Sequence, residues 1–128
     1  MQEPGTTMVR NLNRRGRLAA SALSFVEVPA ALHRRARHGD ISMVAARSCA
    51  ARARADLDRV DLVEPRGTVL AIAAELVERH PLRACDAIQL ASALRLRDAT
   101  GLASTFVCAD TTLIAAAKGE GLRVLRPR

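Results

Sequence analysis

A chain of 128 residues with 49% hydrophobic and 26% charged positions has the mass and apolar content for one packed domain, residues 1–128, and is not a disordered segment. Without Trp or Tyr and with two Phe, it has no aromatic pair to serve as a base-stacking platform, so its core must be Ala, Leu, Val and Ile. The formal net charge of +7 is almost all arginine, with Lys118 the single lysine; such a surface favours encounters with polyanions, although genome base composition produces the same bias.

In chain order, "EPG" at residues 3–5 reads as a turn, and Thr6 or Thr7 can cap a helix running to about Arg15 and ended by Gly16. "RLAASAL" from Arg17 is a short strand, followed by a helix over "SFVEVPAALHRRAR" that stops at Gly39. Asp40 or Ser42 caps the next helix, "MVAARSCAARARADLDRV". "DLVEP" is a strand, and "GTVLAIAAELVERH" a helix closed by Pro81. A helix over about Arg83–Asp98, a strand in "STFVCAD", a helix in "TTLIAAAKGEG" and a last strand "LRVL" complete the chain. Strands alternating with helices predict an α/β fold with a largely parallel sheet and helices on both faces.

The three cysteines, Cys49, Cys85 and Cys108, are odd in number and contain no CxxC, so a disulfide framework or zinc ribbon is not expected. They read as small core or near-core residues in a reducing cytoplasm. The N-terminus lacks the apolar region of a signal peptide, and the apolar runs are too short to cross a bilayer. His33, His38 and His80 form no metal or triad pattern; helix ends and surface are their expected places.

Three carboxylates stand out. Asp86 opens "CDAIQLASALRLRD", a helix apolar nearly all round whose narrow polar stripe runs from Asp86 through Gln89 towards Arg97. An unpaired buried charge is costly, so Asp86 either serves the helix dipole from the first turn or borders a cleft. Asp110 follows an apolar strand and precedes a helix, which makes it an N-cap and also puts it where open α/β sheets bind ligands. Ser24 and Glu27 fit a capping box, although Pro29 is too close for a regular helix start at Ser24. Each position has an ordinary explanation. Together they sit at helix starts that a parallel sheet gathers at one edge, and carboxylates about 4 Å apart repel by about 4 kcal/mol at an effective dielectric of 20. Such a group needs a proton or a divalent cation; oxygen-only ligands favour Mg²⁺ or Mn²⁺, and a hard cation beside an Arg-rich surface suggests phosphodiester chemistry.

On "SALSFVEVPAAL", "LRACDAIQLASAL" and "TFVCADTTLIAAAKGEGLRVL", the chain resembles the PIN-domain proteins, specifically the VapC-type ribonuclease toxins of bacterial toxin–antitoxin modules. The three stretches are similar to the family's second, third and fourth acidic motifs, in that order, and the likeness runs from "EPG" to the C-terminus. The resemblance implies a PIN-like three-layer sandwich and a metal-dependent endoribonuclease. Glu27, Asp86 and Asp110 would hold Mg²⁺ or Mn²⁺, with Asp86 central, and a small antitoxin protein would be the partner; family members often dimerise. Two departures are visible. Cys108 stands where the family often has Thr or Ser. The family's opening strand, which ends in its first catalytic Asp and lies centrally in the sheet, is missing, and Glu3 in the turn is a poor substitute for that Asp. Either Met1 is internal to a longer reading frame, which the three undamaged motifs favour, or the chain is a decayed relative. The alternative function is therefore a catalytically inactive PIN remnant that binds antitoxin or RNA.

Overall fold

The computed structural model describes residues 8–11, 18–101 and 104–127, and from residue 18 onward its strands and helices follow the order the patterning predicts. They are β1 (Met8–Asn11), β2 (Leu18–Ser21), α1 (Ser24–Arg37), α2 (Met43–Leu57), β3 (Asp61–Val63), α3 (Gly67–Arg79), α4 (Ala84–Thr100), β4 (Ser104–Val107), α5 (Thr111–Gly119) and β5 (Arg123–Leu125). Several boundaries follow directly from local chemistry. Ser42 caps α2 by accepting a 3.0 Å bond from the Ala45 amide, and Asp110 caps α5 by accepting one of 3.1 Å from Leu113. Gly101 ends α4 in the left-handed conformation, which glycine adopts without a Cβ penalty.

The strands are ordered β3-β2-β1-β4-β5. β2 pairs with β3, and β4 with β5, in parallel. Between these two pairs lies β1, antiparallel to both neighbours, with Val9 opposite Ala19 on one side and Phe106 on the other. This corrects two expectations. The helix expected from Thr6 or Thr7 to about Arg15 is not formed at Met8–Asn11, which is a strand; the rest of that span lies outside the described residues. The sheet is mixed rather than largely parallel. The physical reason is that β2 and β4 each present a row of backbone donors and acceptors that must be paired, and Met8–Asn11 pairs both rows at once. That gain outweighs the weak helical pattern of a segment rich in Asn and Arg.

Because β2 and β4 both oppose β1, they run parallel to each other, and their carboxyl ends share one edge of the sheet. β1 presents its beginning there, with Met8 opposite Val107.

Packing divides into two clusters. The larger joins Ala19 of β2, Phe106 of β4, Val69, Ala73 and Leu76 of α3, Ala87, Leu90, Ala91 and Leu94 of α4, and Leu113, Ala116 and Ala117 of α5. Small residues on α4 let α3, the sheet and α5 approach it closely, and Ala87 to Leu94 is buried on all sides apart from the half-buried Ile88. The smaller cluster joins Val28 and Leu32 of α1 to Ala46 of α2, so these helices form a hairpin with its own apolar seam. Among the described residues no helix is long and apolar enough to cross a membrane.

Candidate functional site

Beyond the shared carboxyl edge of β2 and β4 lies a cleft of about 650 Å³. α1 supplies Glu27, Arg34 and Arg35, with His38 just past its end; the start of α4 supplies Cys85 and Asp86, with Arg83 shortly before them; the β4–α5 link supplies Cys108 and Asp110. Glu27, Asp86 and Asp110, separated by up to 83 positions in the chain, thus line one cavity. They do not stand as a ready cation cage: among the described residues no group of three or more His, Cys, Asp and Glu side chains is arranged to hold a metal ion.

Each carboxylate is held differently. Asp110 is exposed, and one oxygen is committed to the α5 cap. Asp86 is half-buried in the first turn of α4, where its side chain retains 28% exposure. Burial, reinforced by the nearby Asp110 charge, pushes its carboxyl above the ordinary carboxylate range; Arg83, 4.0 Å away and almost fully exposed, opposes this weakly. Glu27 lies in the first turn of α1, but the capping box does not form. Leu23 opens the helix without a side-chain cap, and the Ser24 hydroxyl is buried without a partner. α1 runs through Pro29, and Glu27 Oε1 instead accepts a 2.8 Å hydrogen bond from Nε2 of Gln89 on α4.

That bond alters the expected role of the α4 stripe. Gln89 retains 3% exposure and lies inside the molecule rather than on the cleft edge. Gln89 gives its amide NH₂ to Glu27, which leaves its own Oε1 buried without a partner among the described residues. Farther along, Ala93 is fully buried and Arg97 donates to the Glu120 carbonyl at 3.1 Å.

The expectation of three core cysteines is corrected in part. Cys108 is buried and Cys49 half-buried, but Cys85 is exposed on the cleft wall. Desolvation, with help from the Glu27 and Asp86 charges, pushes its thiol upward, so it stays protonated and a poor nucleophile at neutral pH. Cys108 Sγ approaches the Asp110 carbonyl at 3.7 Å, which is a backbone contact and not support for the Asp110 carboxylate.

Arg34, Arg35, His38 and Arg83 also line the cleft, and sequence reasoning left all four unassigned. The signal was the run "HRRARH" at the end of α1, whose Arg34 and Arg35 lie three and four residues beyond Ala31, which is itself one turn from Glu27 and also faces the cavity. His80, outside the cleft, does end α3 as expected, and its ring meets Glu120 at 2.6 Å beside a two-point Arg79–Glu120 pair. Glu3 lies outside the described residues.

The arrangement combines an acidic floor of three carboxylates with a basic rim of Arg34, Arg35, His38 and Arg83; the arginine guanidinium groups match phosphate oxygens in charge and shape. No family model, curated protein or solved structure matches the chain in any of the three comparisons.

Proposed function

We propose that the chain is a PIN-type, metal-dependent endoribonuclease of the VapC kind, hydrolysing RNA phosphodiesters in the cleft between α1, α4 and the β4–α5 link. The observation that carries this reading is that Glu27, Asp86 and Asp110, alone of the acidic side chains among the described residues, line one Arg-rimmed cavity. The strand order and the mutual parallelism of β2, β3, β4 and β5 are compatible with a PIN-like three-layer arrangement, with β1 in the central place.

The donor set suits Mg²⁺ or Mn²⁺, since the three acids offer only oxygen. Glu27, Asp86 and Asp110 would hold the ion. When bound, it supplies an activated water and charge neutralisation at the phosphate. The chain's own residues do the rest. Gln89 fixes one oxygen of Glu27 and leaves the other available to the cleft. Arg34, Arg35 and Arg83 engage phosphate oxygens and orient the scissile group. Asp110 keeps α5 in place while one oxygen remains free of the cap. A small antitoxin protein is the regulatory partner this reading carries with it, and a homodimer is compatible with it.

The test is cleavage of single-stranded RNA in Mg²⁺ or Mn²⁺. Activity that disappears in EDTA and in Asp86→Asn supports the reading. Salt-sensitive RNA binding that ignores both metal and Asp86→Asn identifies a non-catalytic RNA binder instead.

A further inference from the structure

The basic surface continues past the cleft. On the outer side of α1 a shallower groove of about 460 Å³ is lined by Val26, Pro29, Ala30, His33, Arg34 and Arg37. Arg34 lines both cavities and so forms the ridge between them. Among the described residues no Asp or Glu lines the outer groove, and neither Arg34 nor Arg37 is taken up in an ion pair. Its other half is apolar, and Val26 is 69% exposed. From Val26 to Arg37 the helix axis advances about 16 Å at ~1.5 Å per residue, the rise of four to five stacked nucleotides at ~3.4 Å each.

We propose that this groove is a track for single-stranded RNA: a strand whose scissile phosphate occupies the cleft crosses Arg34 and lays its flanking phosphates along His33 and Arg37, with sugar and base faces against Val26 and Pro29. The proposal rests on the nuclease reading for what occupies the cleft, but the track is defined by binding alone. A polyanion carries charge at regular intervals and can follow cations from one cavity into the next. The shared Arg34, with Arg35, His38 and Arg83 on its far side, provides that continuity. An acidic amphipathic peptide would match the charge and the apolar half, but it gains nothing from the connection to the cleft.

The experiment measures binding in EDTA of a twelve-nucleotide single-stranded RNA, a trinucleotide and a glutamate-rich peptide of matched charge. The proteins are wild type, Arg37→Gln, Val26→Glu and, as an exposed control off the groove, Arg59→Gln. The track predicts that Arg37→Gln weakens the twelve-mer about 3- to 10-fold and reduces the log–log salt slope by about 0.7, the value for one lost single-strand phosphate contact. Val26→Glu also weakens the twelve-mer, through like-charge repulsion, while the trinucleotide keeps its affinity in both variants. Twelve-mer binding by Arg37→Gln equal to that of Arg59→Gln overturns the proposal, as does an equal loss for the trinucleotide. A loss confined to the peptide overturns it too and assigns the groove to a protein partner. Wild-type protein that never cleaves RNA in Mg²⁺ or Mn²⁺ removes the nuclease reading, and the binding results still decide the track.

Discussion

Replacing Asp86 by Asn should stabilise the metal-free protein while abolishing the proposed RNA cleavage, and metal should reverse the order of stability. Burial and the Asp110 charge raise the Asp86 carboxyl in the folded state. A carboxyl raised on folding contributes stability that is fully present below the unfolded value of about 3.9 and lost as pH rises through the folded value. At pH 7 the ionised Asp86 is therefore a net cost, and Asn removes it. Against this, the variant loses a first-turn interaction with the α4 dipole worth about 0.3–1 kcal/mol, and an exposed Arg83 contact that contributes little. The expected net effect in the absence of metal is a small rise in Tm at pH 7. An ion bound by the native floor at 100 times its Kd adds about 2.7 kcal/mol to wild type and little to the variant. Thermal unfolding in EDTA and in excess Mn²⁺, at matched ionic strength, should therefore show Asp86→Asn melting higher in the first and lower in the second. The EDTA gap should close near pH 4, where Asp86 protonates in both states. Equal or lower stability of the variant in EDTA at pH 7 refutes the electrostatic account, and an equal metal response in both proteins refutes the cation site.

Three further substitutions separate structural from chemical roles. Asp110→Ser retains a good N-cap for α5, so Tm should change by no more than the equivalent of a few tenths of a kcal/mol, while RNA cleavage falls at least about 100-fold; a large Tm loss in calorimetry argues that the carboxylate does more than cap. Gln89→Leu removes both the bond to Glu27 and a buried, unpartnered acceptor. Stability should stay within about 1 kcal/mol of wild type, while Mn²⁺ affinity, read by titration, drops about 10-fold, as for other residues that orient a ligand; unchanged affinity excludes a positioning role. Glu120 is held below the usual carboxylate range by hydrogen bonds from Arg79 and His80. Its contribution is present above the unfolded value near 4.3 and lost as pH falls through the lower folded value. Glu120→Gln should thus lower Tm by a few degrees at pH 7 and flatten its fall below about pH 4.3; a Tm–pH profile that overlays wild type shows the clasp to be inert.

The helices from Ser24 onward were legible because each carries its own punctuation: Gly39 and Gly101 at positive φ, Ser42 and Asp110 as caps, Pro81 after α3. β1 was not, because nothing local makes Met8–Asn11 a strand; its place is set by the second edges of β2 and β4, whose first edges are taken by β3 and β5. The same distinction runs through the site. Asp86 and Asp110 could be picked out because helix starts and strand ends are local features. The Glu27–Gln89 bond could not, since it joins residues 62 positions apart and replaces the capping box that local spacing suggests. Local chemistry thus places each carboxylate at the start of its helix, while long-range pairing decides which way each faces. It is this second step that turns three ordinary first-turn acids into the wall of one cleft. The basic end of α1 enters the same cavity only because Glu27 and Ala31 already point there, so a shift in how α1 meets α4 would move the acidic floor and the Arg34 ridge together.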